Sequence, residues 1–325
     1  MRESAFVKAN ISKWEEFESL IAAKAKKDPD VLADLFVQLT DDLSYAKTHY
    51  PKSEVTVYLN NLSTKVHQYI YRNKKEGKSR FAEFWKRELP LIFWQHRKEF
   101  RYALLFFVGA CIIGAFSAAF DDNFVRLILG DQYVNMTLNN IDKGVPLGVY
   151  GKMAQSDMFV LITFNNVRVS FIAFAAGILA SIGTVFMLFQ NGVMLGSFQY
   201  FFYTKGLLLT SILTIWIHGT VEIISIIMAG GAGLIMGNSL LFPGTFTRME
   251  SLRRGATTGA KVVLGLVPLF IIAGFLESYV TRLFDMPDIL KATIILASLA
   301  FMIYYIILYP RKLYKNAPSA TDRIL

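Results

Sequence analysis

With 325 residues, a mean hydropathy of +0.39, 27 Phe and only 18% charged residues, the chain is too apolar for a soluble globule and reads as a multi-span membrane protein. Its net charge of +9 does not indicate nucleic acid, because the Lys and Arg residues gather beside apolar segments, where they set membrane orientation. A single cysteine, Cys111, excludes an intramolecular disulfide and a cysteine metal site.

The expected fold is all-α and polytopic, with about six membrane segments. The expected domains are a cytoplasmic amino-terminal helical bundle (1–80), an amphipathic interfacial helix (81–102), a transmembrane domain (103–310) and a cytoplasmic tail (311–325). The opening residues are charged and helical, with no apolar core and cleavage site, so no signal peptide is expected. Trp14, Phe17, Leu20 and Ile21 form the first apolar stripe, and Asp28 is the expected cap of a helix begun by Pro29. Leu32, Leu35, Phe36, Leu39 and Leu43 form the second stripe, which Tyr50-Pro51 breaks. Ser53 is a candidate N-cap for a third helix, with Tyr58, Leu62, Val66, Tyr69 and Ile70 on one face before a basic run.

Phe81, Phe84, Trp85, Ile92, Phe93 and Trp94 stand among Lys86, Arg87, Arg97, Lys98 and Arg101, with Pro90 expected to kink this fourth helix. Such a helix either lies in the headgroup layer as an elbow or packs its aromatics on the bundle. The first span, 103–120, follows a basic flank that places the amino-terminal domain in the cytoplasm. The acidic loop 121–158 then belongs on the opposite side, with a short helix expected over 127–138.

Asn165, Asn166 and Arg168 introduce a second span, 169–189, and Gln190-Asn191-Gly192 reads as a turn. Gly177 and Gly183 give that span a face of small residues. Gly192 with Gly196, Gly233 with Gly237, and Gly255 with Gly259 are spaced for close backbone packing in lipid. The region 193–237 holds either a short third segment ending near Lys205 and a fourth from about 209, or a re-entrant hairpin turning at His218-Gly219. A fifth span, 262–279, contains Pro268 and Glu277. A sixth, 292–309, is expected to stop at Pro310, leaving both termini cytoplasmic.

The stretch 207–237 carries the strongest functional signal. It is long enough to cross a bilayer, yet holds His218 and, one helical turn on, Glu222. An ionisable pair at membrane depth is costly unless paired or hydrated. His218, Glu222, Glu277, Asn165, Asn166, Arg168 and Asn191 therefore form the candidate intramembrane polar site. The alternative is that His218-Gly219 marks a helix start near the headgroups with Glu222 in its first turn, and that the asparagines cap helix ends. No catalytic residue is identified, and neither a metal site nor a cofactor is expected. A zinc protease needs two histidines on one helical face, and here a third metal ligand would have to come from elsewhere. No phosphate-cradling loop is present.

Asn10 and Trp14, the approach HRKEFRYA, then ITFNNVRVSFIAFAAGI, QNGVMLG, IHGTVEIISIIMAGGAGL, FPG followed by Arg248, and IAGFLESYVT together resemble the stage II sporulation protein M family. The resemblance implies an integral membrane protein of the bacterial cytoplasmic membrane. Its name-giving member is implied to be a component of engulfment machinery that recruits peptidoglycan-degrading partners. Here the cytoplasmic bundle is an addition to the shortest version of the family.

Two functions are carried forward. One is a non-enzymatic scaffold or partner-recruiting component of cell-envelope remodelling, with envelope or cytoplasmic protein partners and the bilayer as its medium. The other is a transporter or channel-like protein using His218, Glu222 and Glu277. Nucleic acid is not an expected partner, and monomer or homo-oligomer is left open.

Overall fold

The computed structural model describes residues 2–22, 29–72, 79–121, 123–148, 154–283 and 285–316, and side chains over 2–19, 34–67, 80–121, 123–148, 154–283 and 285–316. The chain divides into two compact units, Met1–Arg80 and Phe81–Leu325. Among the described residues the regular structure is helical throughout.

In the first unit, α1 (Glu3–Ala22), α2 (Pro29–His49) and α3 (Glu54–Arg72) bury one face each. Phe6, Trp14 and Phe17 meet Leu39, Leu43 and Ala46 from α2 and Val55, Leu59, Leu62 and Val66 from α3. The Trp14 indole N–H donates to Asp42 at 2.8 Å, which satisfies the ring's polar atom, and Lys13 pairs with the same carboxylate. Pro29 opens α2, where a missing N–H costs nothing. Ser53 accepts from the Val55 N–H at 3.2 Å and so caps α3. Asp28 and the side chains of Leu20, Ile21, Leu32, Tyr69 and Ile70 lie outside the described residues.

The second unit begins within α4 (Ser79–Glu83), a π turn (Phe84–Glu88) and α5 (Leu89–Gln95). Leu89, Ile92 and Phe93 are buried in the core of this unit, with Phe84 and Trp85 packed against it and Phe81 exposed. The Trp85 indole donates to the Gly265 carbonyl at 3.1 Å, Tyr305 donates to the Trp85 carbonyl at 2.8 Å, and Glu88 pairs with Lys261. Pro90 follows directly on the π turn within a helical stretch that runs unbroken from Ser79 to Gln95, so the turn takes up the hydrogen bond that the proline cannot give.

Next come α6 (Arg97–Phe120), then α7 (Phe124–Leu129) and α8 (Asp131–Asp142), joined at Gly130 with φ +82°. The chain continues through α9 (Gln155–Ala175), α10 (Ile182–Thr204), α11 (Leu208–Leu241) and α12 (Arg248–Phe275) with its π turn (Leu276–Val280). It ends in α13 (Asp288–Ile303), a π turn (Tyr304–Leu308) and α14 (Tyr309–Lys315). Among the described residues, five helical stretches, those of α6, α9, α11, α12 and α13 to α14, are long and apolar enough to cross a membrane. α10 is also uncharged over its 23 residues and packs along α6.

Several expected boundaries move. Asn165, Asn166 and Arg168 lie within α9, and Gln190, Asn191 and Gly192 within α10, so neither group marks a helix end. Asn191 donates to the Met187 carbonyl one turn back at 2.8 Å, which satisfies its amide without a cap. The true break is the corner after Gly177, where Ala180 and Ser181 take φ of 50° and 69° and the Ser181 N–H closes on the Gly177 carbonyl at 3.1 Å. Left-handed backbone costs these residues about 1–2 kcal/mol each, offset by the close packing beside them. α11 is one continuous helix of 34 residues, which excludes both a turn at His218-Gly219 and a helix start there. The last span does not stop at Pro310, because the preceding π turn lets the proline sit in the first turn of α14.

α11 forms the hub of the second unit. Of its most apolar window 67% is buried, against 6% for the last span, so the last span faces outward while α11 is wrapped by α6, α9, α10, α12 and α13.

Candidate functional site

His218 and Glu222 sit one turn apart on α11, and the chain supplies a third ionisable group from the end of α12. The π turn there presents Glu277, and one donor atom from each of His218, Glu222 and Glu277 lies within 4.8 Å of the other two. A π turn adds a residue to the helical repeat and often occurs where a side chain must be redirected. Here its Leu276 carbonyl accepts both the Thr281 N–H at 2.8 Å and the Thr281 hydroxyl at 3.1 Å.

That hydroxyl orients the imidazole. Thr281 Oγ1 lies 3.0 Å from His218 Nδ1. With its own proton directed to Leu276, Oγ1 offers a lone pair, so Nδ1–H is the donor and Nε2 carries the lone pair of the neutral ring. Nε2 faces Glu277 Oε2 at 3.8 Å. The two carboxylates repel across the site. Among the described residues neither forms an ion pair with Lys or Arg. The cluster thus consists of acceptors facing one another, and protons or a cation must hold it together.

A cavity of roughly 390 Å³ lies beside it. Asn165, Asn166, Asn191, His218 and Glu222 line it, together with Ile128, Leu129 and Tyr133 from α7 and α8 in the segment between spans. Burial pushes the Tyr133 phenol up from its ordinary pKa, so the ring keeps its donor at neutral pH. His218 is 4% exposed. Glu222 and Glu277 are half-buried, Glu222 because it opens onto the cavity. Asn166 is buried beside the Glu222 carboxylate, yet its Nδ2 reaches hydrogen-bonding geometry with no described group. Arg168 is exposed on α9 and is not among the residues lining this cavity.

The glycine pairs position the helices that carry these groups. A Cβ on Gly192 would fall 2.6 Å from the Phe107 carbonyl, and one on Gly196 would meet the Cys111 carbonyl, so α10 and α6 touch through their backbones. Gly177 faces Gly233, Gly237 packs against Ser181, and Gly183 lies against Ala176, which seats the α9–α10 corner on α11. Gly255 and Gly259 do the same for α12, against Ser239 and against Phe174 and Ala232.

Sequence reasoning brings His218, Glu222 and Glu277 into the same list but gives no part to Thr281 or Tyr133. Nothing in the sequence marks either, since Thr281 meets His218 and the Leu276 carbonyl only in the fold.

A family model described as Stage II sporulation protein M matches residues 103–282. A second, described as a domain of unknown function, matches residues 4–72. No curated protein and no solved structure matches the chain.

Proposed function

Since the chain belongs to the stage II sporulation protein M family, we propose that it is a non-enzymatic scaffold of the bacterial cytoplasmic membrane that recruits partners in cell-envelope remodelling. The observation behind this reading is the pairing of a family-type membrane unit with a second compact unit that has its own core. A small helical unit with charged outer faces is suited to docking proteins. In this reading α10 crosses as a sixth span and both termini are cytoplasmic, because the basic residues flanking α6 and those of α14 favour that side. Deleting residues 1–80 should release co-purifying partners while the spans still insert, and unchanged partner recovery contradicts the scaffold role.

The cavity favours a second reading, passage of protons or a small polar solute by way of Asn165, Asn166, Asn191, His218 and Glu222. In proteoliposomes, His218→Ala and Glu222→Gln should then abolish flux while the protein stays folded. Equal flux in both variants and the wild type removes this reading.

A further inference from the structure

We propose that His218, Glu222 and Glu277 bind one divalent first-row cation of the Zn²⁺ or Mn²⁺ class, which clamps α11 to the end of α12. The proposal rests on neither reading above, since a scaffold and a conduit are equally served by such a clamp.

Three observations carry it. The first is the donor set: one imidazole and two carboxylates, with a single donor atom of each inside a 4.8 Å circle. Nitrogen and oxygen donors together suit Zn²⁺, Mn²⁺ or Fe²⁺, whereas Mg²⁺ and Ca²⁺ prefer oxygen alone. Ligands about 2.1 Å from a tetrahedral ion stand about 3.4 Å apart. Nε2 and Oε2 of Glu277 are 3.8 Å apart and all three donors lie within 4.8 Å of one another, so closing the site to that spacing asks the donors to approach by at most about 1.4 Å.

The second observation is orientation. A metal-bound histidine commonly donates its other ring N–H to a fixed acceptor, which holds the ring and its tautomer. Thr281 plays that part for Nδ1, leaving the Nε2 lone pair directed at Glu277. Either a proton or a cation relieves a lone pair facing a carboxylate, and a dication would in addition offset the charge of both carboxylates.

The third is a buried amide beside the Glu222 carboxylate, close enough to interact with it but short of good hydrogen-bond geometry. Asn166 is 6% exposed, its amide nitrogen has no hydrogen-bond partner among the described residues, and it lines the same cavity as His218 and Glu222. Turned over, the amide presents its oxygen, and that atom or a cavity water supplies the fourth position of the shell.

The test uses the full chain in lipid nanodiscs, stripped with chelator and titrated separately with Zn²⁺, Mn²⁺ and Mg²⁺. One Zn²⁺ or Mn²⁺ per chain is expected, with a raised melting temperature and no response to Mg²⁺. Glu277→Gln and Glu222→Gln should each weaken binding at least about tenfold, and Thr281→Val about tenfold through the lost orientation of His218. X-ray absorption of the Zn²⁺-loaded wild type should show a nitrogen and oxygen shell with one imidazole, a readout that stands even where a variant fails to fold. Absence of binding at micromolar metal, wild-type affinity in both glutamine variants, or a shell with several imidazoles overturns the proposal.

Discussion

Thr281 is a small residue with a large share in the buried cluster, because its hydroxyl donates a hydrogen bond to the Leu276 carbonyl and accepts one from His218. Thr281→Val keeps the shape and removes both bonds, so it should destabilise the membrane unit by about 1–3 kcal/mol, while Thr281→Ser should restore most of the loss. Thermal unfolding in detergent measures both, and equal melting temperatures for the two variants contradict the role. His96, outside the spans between α5 and α6, offers a pH test. Burial lowers its pKa, against a smaller opposing effect of Glu99 3.9 Å away. The unfolded chain then binds more protons than the folded one just below the ordinary value of about 6.5. Stability contributed here is present above that pH and declines as pH falls toward the lowered folded value. An NMR titration should place the His96 midpoint below 6.5, and a midpoint above it refutes the assignment. At this scale the sequence reveals charged groups that are out of place in lipid, as with His218, Glu222 and Glu277. It does not reveal Thr281, since threonines are common in spans and only the fold brings this one to the imidazole.

The helices follow apolar runs that are easy to read, but the corner between α9 and α10 does not, and the reason is physical. Asparagine ends helices where water competes for the backbone, whereas inside a span it turns back on its own helix, as Asn191 does on Met187. The corner instead falls among small residues that seat it against Gly233 and Gly237 of α11. Ala180 carries positive φ without the freedom of glycine, so Ala180→Gly should stabilise the protein by about 1 kcal/mol. A lowered melting temperature for that variant would show that the alanine methyl group contributes more than the strain costs. At Gly196 the opposite holds. Gly196→Leu places a side chain against the α6 backbone at Cys111 and should cost about 1–3 kcal/mol, read as a loss of thermal stability in detergent. The spacing of the glycines is visible in the sequence, but their partners are not, because spacing says nothing about which neighbour approaches.

For the molecule as a whole, the two units have separate apolar cores, one around Trp14 and the other around α11 and α12. Trp14→Ala should therefore cost the first unit about 3–5 kcal/mol and expose it to protease, with the spans still protected. Cleavage spreading into residues 81–325 at the same rate would disprove separate stability. The polar amino-terminal stripes and the apolar remainder make this division legible in the sequence. Less legible is the inward place of 84–95, whose aromatics with basic neighbours also fit a surface helix, because composition does not say which side of a helix finds a partner. The central place of α11 among the other helices has a bearing on biogenesis. A nascent segment carrying His218 and Glu222 meets acyl chains before its neighbours exist, at a toll of a few kcal/mol for polar groups near mid-bilayer. Retention of α11 by the insertion machinery until α12 emerges, and entry of the two as a hairpin, would spare the chain that exposure.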